Sequence, residues 1–375
     1  MVEWKELGEV ASYYRGVTYN KKQEVSLNSG GTKILRANNI TLGTNSINYD
    51  DIKEIDSSVR IKNYQWLYPN DILICAGSGS KEHVGKVAFI DKQIGYAYGG
   101  FMGKIVTASS LNPRFLFHII CSSLFKDYLK VALNSTTINN LNAEIVNCFI
   151  IPIPSLSEQK RIVGILDTFT DSIENLKLQI AQRRKQYEHY REKLLTNVDM
   201  EDTNWKELSE IADLYKGTYV TKKESNEGAF PVVMGGQKVA YYIDKYNSEG
   251  ESIVISRSGI NAGYVSFWNQ PIFVSDGYRI DTNEKIIKKY LFYFLKSREG
   301  QINSSKKGAG VPHIQSKYLL SILVPQPPLS DQQRIVSILD TFEASIANLE
   351  AQLEQRQKQY EYYRNKLLTF EKEEQ

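Results

Sequence analysis

The chain is poor in the residues that build metal centres and disulfide frameworks. It has 3 cysteines and 4 histidines among 375 residues. Cys75, Cys121 and Cys148 are odd in number, lie in one half of the chain and form no CxxC pair. This usage predicts reduced core thiols in a cytoplasmic protein, because disulfides persist mainly in oxidising compartments. The histidines show no metal-ligand spacing, so no metal site is expected.

Long apolar runs are also missing. The longest, such as 148–151, are far too short for a membrane helix, which needs about 20 apolar residues. The first ten residues contain no apolar signal segment, so we expect no membrane partner. The formal net charge of +3 is small and excludes neither a nucleic-acid partner nor a protein partner.

Catalytic motifs are absent as well. The sequence has no GxSxG, HExxH or paired-carboxylate motif and no Asn-Pro-Pro-aromatic motif of amino-methyltransferases. The glycine-rich run 77–87 looks like a phosphate-binding loop, but its glycines are one residue too far apart and Val87 lacks the hydroxyl that binds magnesium. A glycine turn between strands explains this run better. The chain is therefore predicted to be non-catalytic and to bind no cofactor.

What the chain does contain is a long segment that occurs twice. Residues 156–196 and 329–369 align without a gap and are about two-thirds identical. The segments before them also correspond, because Trp4-Lys5-Glu6-Leu7 recurs as Trp205-Lys206-Glu207-Leu208. The chain is thus a tandem repeat of a globular domain followed by a long helix. This organisation predicts four parts, which are a domain at 1–154, a helix at 155–200, a domain at 201–328 and a helix at 329–375.

Both globular domains have the pattern of mostly β structure. Short β-prone runs, such as 33–36, 104–107 and 252–255, are separated by Gly, Asn and Ser. One apolar helix, at 113–131 or 286–298, follows the strands of each copy. The predicted fold class is α+β, with a curved, mainly antiparallel sheet in each domain and two long helices that join the domains.

The two long helices carry a coiled-coil seam. A 3.5-residue apolar repeat sustained over three heptads needs a partner helix. The predicted partner is the other copy, packed antiparallel, because two like seams are self-complementary. Arg183 and Arg356 interrupt the seam at equivalent positions, either as buried cations that fix the register or as side chains that extend to its edge. The seam residues are Ile173, Leu176, Ile180, Arg183, Tyr187, Tyr190, Leu194, Ile346, Leu349, Leu353, Arg356, Tyr360, Tyr363 and Leu367.

The motifs at the two ends of the helices are specific. In both copies prolines precede Leu-Ser-Glu/Asp-Gln-Lys/Gln-Arg-Ile-Val-x-Ile-Leu-Asp, and the helix ends in Tyr-Arg-x-Lys-Leu-Leu-Thr. With these motifs the chain resembles the specificity subunit of type I restriction-modification systems over nearly its whole length. The globular domains match that family's two target recognition domains, and the helices match its conserved regions.

The resemblance implies a DNA-reading subunit. It would bind double-stranded DNA, and each domain would read one half of a bipartite, asymmetric target. It would carry two copies of a modification methyltransferase subunit and two restriction and translocation subunits. S-adenosylmethionine would bind to the methyltransferase chain, which would flip an adenine out of each half-site. Independently of the resemblance, two unlike domains on a paired-helix spacer predict two unlike half-sites at a fixed separation.

The candidate base-reading residues are donors and acceptors in Gly- or Asn-rich loops at strand ends, where side chains can reach the major groove. For each of them alone, a solvated loop residue is the simpler interpretation. In the first domain they are Arg36, Asn38, Asn39, Ser78, Lys81, His83, Tyr98, Thr136 and Thr137. In the second domain they are Gln237, Lys238, Arg257, Ser258, Asn261, Tyr278, Lys306, Lys307 and His313.

Two other classes of protein remain open from the residues. A coiled-coil scaffold with two protein-binding domains would also explain the repeated helices, and only DNA binding separates it from a DNA reader. A fused nuclease or methyltransferase is disfavoured by the missing motifs. The sequence further predicts that the helices set the unspecified gap in the target. The segment 197–204 is predicted to be an exposed linker in which inserted residues would lengthen that gap.

Overall fold

The computed structural model describes residues 2–41, 43–134, 140–196, 204–224, 226–235, 238–308 and 311–371. The chain divides into two compact units, Met1–Leu176 with Gln352–Gln375, and Lys177–Ala351. Each unit therefore holds one globular domain and parts of both long helices. The predicted borders before the helices lie within two residues of their first residues, Leu156 and Leu329. No described helix is long and apolar enough to cross a membrane.

The first domain is a succession of short strands that leads to the first long helix. Its elements are β1 (Glu3–Glu6), α1 (Leu7–Val10), β2 (Ala11–Arg15), β3 (Glu24–Val25), β4 (Thr32–Leu35), β5 (Ile40–Thr41), β6 (Ser46–Ile47), β7 (Lys53–Ile55), β8 (Ile72–Cys75), β9 (Val87–Phe89), β10 (Ala97–Tyr98), β11 (Met102–Thr107), α2 (Pro113–Cys121), α3 (Ser123–Asn134), α4 (Ala143–Asn147), β12 (Ile150–Ile153) and α5 (Leu156–Thr196). The helix predicted at 113–131 is two helices, because Ser122 ends α2 with its hydroxyl bonded to the Ile119 carbonyl at 2.6 Å.

The second domain repeats this order in fewer residues. Its elements are β13 (Asn204–Glu207), α6 (Leu208–Ile211), β14 (Ala212–Lys216), β15 (Phe230–Val233), β16 (Tyr242–Ile243), β17 (Glu251–Ser256), β18 (Val265–Asn269), β19 (Phe273–Val274), β20 (Gly277–Thr282), α7 (Lys288–Ser297), α8 (Glu299–Ser304), α9 (Ser316–Leu320), β21 (Leu323–Gln326) and α10 (Leu329–Leu368). Asn204, which the sequence assigns to the linker, is the first residue of β13 and pairs with Gln326.

Each domain is built on two larger sheets, where the sequence predicted one, and on additional two-stranded pairs. In the first domain the larger sheets are β2-β11-β8-β9, which is antiparallel, and β10-β4-β7-β3, in which β10 and β4 are parallel. The second domain has β14-β20-β17-β18 and β16-β15-β19, with a parallel pair of β15 and β19. Most pairs are antiparallel, so the predicted mainly antiparallel α+β class is confirmed.

The repeated Trp-Lys-Glu-Leu segment closes each domain beside the start of its long helix. β1 pairs with β12 and β13 pairs with β21, both antiparallel. The turn after each first strand is held in the same way, since the Glu6 N–H donates to Glu9 at 2.9 Å and the Glu207 N–H donates to Glu210 at 3.0 Å. The motif is therefore explained by architecture and needs no contact with a ligand.

A buried glutamine fixes each domain to its long helix. Gln159 Oε1 accepts from the Asn112 N–H at 2.7 Å, and Gln332 Oε1 accepts from the Ile287 N–H at 2.8 Å. In each case Nε2 donates to a proline carbonyl just before the helix at 2.8 Å. Both side chains are fully buried. Because every polar atom of these amides is paired, the domain and the helix start form one packed body in each repeat.

In the first unit, the start of α5 packs antiparallel against the end of α10. Leu166 and Leu368 belong to the same buried core. Phe169 stacks on Tyr363 with 5.4 Å between ring centroids, and the Arg356 guanidinium lies 5.7 Å from the centroid of the Phe169 ring. Later residues of α5 thus meet earlier residues of α10, which defines the antiparallel direction.

The second unit repeats this packing with the helices exchanged. Leu195 and Leu339 share its core. Phe342 stacks on Tyr190 with 5.6 Å between centroids, and the Arg183 guanidinium lies 5.8 Å from the Phe342 centroid. Both seam arginines are half-buried over an aromatic ring, and a cation–π contact accounts for their place in an apolar seam.

The predicted seam agrees with the burial of most of its members. All but two are buried or half-buried, and the exceptions, Tyr190 and Tyr363, are exposed although each stacks on a phenylalanine. At the helix ends, Leu195 and Leu368 are the fully buried residues, one position after the predicted seam leucines. This shift follows from the 3.6-residue turn, which drifts against a 3.5-residue repeat.

The free thiols divide into two kinds. Cys75 and Cys121 are buried, as predicted, and burial raises the pKa of Cys121 to about 12. Cys148 is exposed, so the prediction of a core thiol is wrong there, because this residue caps the C-terminus of α4 at the surface. Within the described ranges, no three His, Cys, Asp or Glu side chains are grouped so that they could hold a metal ion.

Candidate nucleic-acid interface

Four loops of the first domain meet at one end of its sheets. The Gly99 N–H donates to the Leu35 carbonyl at 2.9 Å, which joins the loops after β10 and β4. The Ala76 N–H donates to Phe101 at 2.9 Å, and the Leu141 N–H donates to Ala76 at 2.6 Å, which adds the loop after β8 and the segment before α4. We call this surface the first loop edge; it comprises residues 36–41, 76–84, 99–101 and 140–141.

The second domain joins the equivalent loops with equivalent hydrogen bonds. The Ser275 N–H donates to Val233 at 2.9 Å, the Arg257 N–H donates to Asp276 at 3.3 Å, and the Ile314 N–H donates to Arg257 at 2.9 Å. This surface is the second loop edge; it comprises residues 234–235, 257–262, 275–276 and 313–314. The backbone of the edge is thus retained between repeats, although its side chains differ.

A cleft of about 1700 Å³ opens at the first loop edge. Five lysine and arginine side chains and two carboxylates contribute to its lining, so the cleft is basic. The charged residues are Arg15, Lys21, Arg36, Lys53 and Lys86, with Glu24 and Asp51. A concave basic surface of this size suits a polyanion such as the phosphate backbone of DNA.

Four of the predicted DNA-contact residues line this cleft, namely Arg36, Asn38, Ser78 and His83. Asp51 accepts from Arg36 Nη2 at 2.6 Å and from Asn38 Nδ2 at 3.1 Å. Burial raises the pKa of Asp51, but the neighbouring Arg36 and other cations lower it by more, so the net pKa lies below its ordinary value. The carboxylate is therefore charged at neutral pH and holds these two donors in place.

Several residues that line the cleft were not predicted from the sequence, among them Arg15, Lys86 and Phe101. Arg15 Nη1 donates to the Leu141 carbonyl at 3.0 Å, which places a guanidinium on the first loop edge from strand β2. Lys86 Nζ donates to the Ile40 carbonyl at 2.7 Å, and burial lowers its pKa. Phe101 is 74% exposed at the cleft. Arg15 belongs to Tyr14-Arg15-Gly16, which recurs as Tyr215-Lys216-Gly217, and that repetition was the available signal.

Three predicted residues are corrected by burial. Asn39 is fully buried, and its Oδ1 accepts from the backbone N–H three residues earlier at 2.9 Å. Tyr98 and Tyr278 are buried and donate to backbone carbonyls at 3.0 and 3.1 Å. Burial also raises the pKa of Tyr98. These side chains stabilise the loops from below and have no surface to offer to a base edge.

Four predicted residues, Arg257, Ser258, Lys307 and His313, lie together on or beside the second loop edge. Arg257 Nε donates to Asp276 Oδ1 at 2.8 Å, and the Ser258 hydroxyl donates to the other oxygen of the same carboxylate. A β-bridge joins Ser258 to His313, and another joins Lys307 to His313. Asp276 was not predicted, and it is the acceptor that orients Arg257 and Ser258.

The remaining candidates are less constrained. Lys238 is exposed, Asn261 lies on the same loop as Ser258, and Lys306 is half-buried. Lys81 begins a single-turn 3-10 helix that ends at His83. Thr136, Thr137, Gln237 and the side chain of Lys81 lie outside the described residues.

Matching backbones with unlike side chains define a protein that presents two different binding surfaces on one repeated scaffold. The chain matches the family model described as type I restriction modification DNA specificity domain at residues 1–183 and 199–357. Because these matches cover most of the chain, the protein belongs to this family, and the resemblance inferred from the helix motifs is confirmed.

Relatives of known name agree with this assignment. The EcoR124I/EcoR124II type I restriction enzyme specificity subunit of Escherichia coli is 32% identical over 60% of this chain and 64% of the relative. The putative type I restriction enzyme specificity subunit S.HindORF215P of Haemophilus influenzae is 30% identical over 98% of this chain and 96% of the relative. The fold resembles the crystal structure of a type I restriction-modification S subunit from M. genitalium, with a TM-score of 0.65, 18% identity and coverage of 99% of this chain and 97% of that chain.

Proposed function

We propose that this chain is the DNA-reading subunit of a type I restriction-modification complex, with one half of a bipartite, asymmetric target read by each domain. The observation that carries the proposal is the pair of loop edges. The two edges have equivalent backbone hydrogen bonds, each within its own domain. Their side chains differ, because Phe101 and Asn140 on the first edge correspond to Asp276 and His313 on the second. Two sets of side chains on one backbone suit two different base sequences, because bases are distinguished by the donors and acceptors that they present.

The proposed reading step is an exchange of partners at the cations of each edge. Asp51 holds Arg36, and Asp276 holds Arg257. In place of the carboxylate oxygens, a guanidinium can donate to the oxygens of a phosphate or to the oxygen and nitrogen acceptors on the major-groove edge of guanine. When an arginine moves to the DNA, the carboxylate becomes free to accept from a cytosine amino group. A sequence that offers neither partner leaves a carboxylate facing phosphates, which disfavours binding.

We further propose that the long helices carry two copies of one methyltransferase subunit. Several exposed or half-exposed helix residues are the same in both repeats, although they lie outside the apolar seam. They are Thr168, Gln182, Gln186 and Lys193, with Thr341, Gln355, Gln359 and Lys366. Equal surfaces on two helices suit two equal partners. Catalysis and S-adenosylmethionine binding are assigned to that methyltransferase, and two restriction and translocation subunits complete the complex. A cytoplasmic location stays a prediction.

The test of this function is the methylome of a host that expresses the chain with its methyltransferase. We expect adenine methylation at a bipartite motif whose two halves differ. The same host without this chain is the control and should lack the motif. Methylation without a sequence motif, or none in the presence of an active methyltransferase, would favour the protein-binding scaffold.

Exchange of the first domain tests whether the halves are read independently. Residues 1–154 are replaced by the matching domain of a relative with a known target. One half of the motif should change and the other should stay, because the core of each unit contains residues of only one domain. A change in both halves would show that the domains do not read separately.

A further inference from the structure

Each loop edge carries one large apolar side chain that the fold leaves uncovered. Phe101 is 74% exposed on the first edge, and Ile260 is 88% exposed on the second. Exposure of this extent contributes little to folding, because apolar side chains stabilise a domain through the surface that they bury. The position of both residues on the candidate DNA-reading surface therefore calls for a different explanation.

The backbone under Phe101 is fixed even though its side chain is free. Its carbonyl accepts from the Ala76 N–H at 2.9 Å and from the Gly77 N–H at 3.0 Å. The turn closes with a bond from the Met102 N–H to the Gly99 carbonyl at 2.8 Å. The ring thus projects from a turn whose place on the domain is set by three hydrogen bonds, so little freedom is lost when the ring meets a ligand.

Ile260 stands on an equally tight turn. Gly259 has a φ of +82°, which favours glycine, and the Ala262 N–H donates to its carbonyl at 3.1 Å. The Gly259 N–H in turn donates to Pro312 at 3.3 Å, which ties the turn to the segment that carries His313. The second apolar tip is therefore anchored beside the predicted polar readers, as the first one is.

The surroundings of these two apolar side chains favour DNA as their ligand. Phe101 shares the basic cleft with Arg15, Arg36 and Lys86. Ile260 lies in the same loop as Arg257. An apolar protein partner would gain nothing from these cations, whereas duplex DNA offers phosphates to them and base faces to the tip. An apolar side chain that inserts between two stacked bases separates them. A base that leaves the stack opens an apolar space between its neighbours, which such a side chain can fill.

We propose, on the basis of the function proposed above, that Phe101 and Ile260 insert into the base stack, one in each half-site. Each would occupy the space that opens when the adenine of its half-site leaves the stack. The methyltransferase would hold the extruded base, and the tip on this chain would keep the duplex open on the other side.

The test uses the complex of the full chain with its methyltransferase and duplexes that carry 2-aminopurine at the adenine of one half-site or the other. The wild-type complex should raise the fluorescence of both probes. F101A should reduce the rise and weaken binding by roughly tenfold at the first domain's half-site only, and I260A should do so at the other. F101L keeps apolar bulk and should retain most of the signal.

Two matched controls remove an exposed apolar side chain elsewhere. Val131 is 76% exposed on α3 and Leu323 is 54% exposed on β21, and V131A and L323A should behave as wild type. If F101A and I260A keep the wild-type fluorescence, or lose the methyltransferase while they still bind DNA, the proposal is overturned. If the wild-type complex itself shows neither a rise nor a sequence preference, the proposed function fails as well.

Discussion

Asp51 accepts hydrogen bonds from two side chains of the first loop edge, Arg36 and Asn38. Its replacement therefore tests how these two side chains bind DNA without that acceptor. D51N keeps the shape of the residue but removes the charge that pairs with Arg36 at 2.6 Å and with Lys53 at 3.4 Å. We expect tighter binding of non-specific duplex DNA, with a logarithmic salt slope steeper by about one. Fluorescence anisotropy over a salt series measures both quantities. D50N is the matched control at the exposed neighbour, and an equal effect there would reduce the role of Asp51 to overall charge.

Arg257 is the guanidinium of the second loop edge. Its replacement by Ala removes a candidate base contact and leaves Asp276 without its ion-pair partner. We expect a loss of about 1–3 kcal/mol in DNA binding and a relaxed preference at one base pair of one half-site. Methylation rates on duplexes with single base-pair changes measure the preference. R334A removes an exposed arginine of α10 as the control, and an unchanged preference in R257A would exclude Arg257 as a reader.

Loop position in the sequence was a good guide to the edge and a poor guide to individual contacts. Arg36, Ser258 and others lie where strand ends predicted them, because turn residues at strand ends reach the surface. Tyr98 failed because it lies in a two-residue strand inside the domain, where its ring fills the core. Arg15 was missed for the opposite reason, since it reaches the edge from a strand. Both errors come from tertiary packing that no local pattern records.

At the scale of elements, one aspartate per repeat docks the domain helix on the long helix. In the first unit Asp167 accepts from Arg114 Nε at 2.9 Å and from His118 Nε2 at 2.8 Å. In the second unit Asp340 accepts from Lys289 at 2.9 Å and from Tyr293 at 2.5 Å. The same contact therefore contains an imidazole in the first unit and a phenol in the second.

This difference predicts that acid loosens one of these contacts only. Burial lowers the pKa of His118 below its ordinary 6.5, although the Asp167 hydrogen bond opposes the shift. The unfolded chain then binds the proton first, so stability of the first unit is complete above about pH 6.5 and falls as the pH decreases below it. Hydrogen exchange of α2 and α7 peptides between about pH 7.5 and 5.5, corrected for intrinsic rates, measures the change.

We expect α2 to lose protection on acidification while α7 keeps it. H118Q, which keeps hydrogen-bonding groups but does not titrate in this range, should flatten the response of α2. Equal loss of protection in both helices would show that the pH dependence has another origin.

The long helices were the part of the fold that the sequence predicted best. The heptad repeat is a local periodicity and indicates the length of each helix. The duplication supplies a second helix with a like seam and so indicates an antiparallel partner. The short elements were harder. The break at Ser122 depends on one hydroxyl. The second larger sheet of each domain depends on parallel pairs, such as Ala97 with Ile34, between residues that are far apart in sequence.

For the whole molecule, the proposed spacer function can be tested by inserting residues. The structure indicates a different insertion site from the one that the sequence suggests. The sequence suggests the segment after Thr196. However, Leu195 is buried in the core of the second unit, so the first long helix is already attached to that unit before Thr196. Residues added after Thr196 would therefore not lengthen the helix between the two units. We expect four residues inserted there to leave the motif unchanged. This insertion is the control for an insertion within the long helices, at the places where the two units divide.

The effective insertion is seven residues in each long helix, after Leu176 and after Ala351, where the two compact units divide. Seven residues preserve the register of the seam and lengthen a helix by about 10 Å. At about 3.4 Å per base pair, the unspecified gap should grow by about three base pairs while both halves of the motif stay the same. Methylome sequencing of the double-insertion variant measures the gap. Methylation of the original motif at full efficiency would show that the helices do not set the distance between half-sites. A gap that grew equally after the insertion at Thr196 would show that the linker carries that distance.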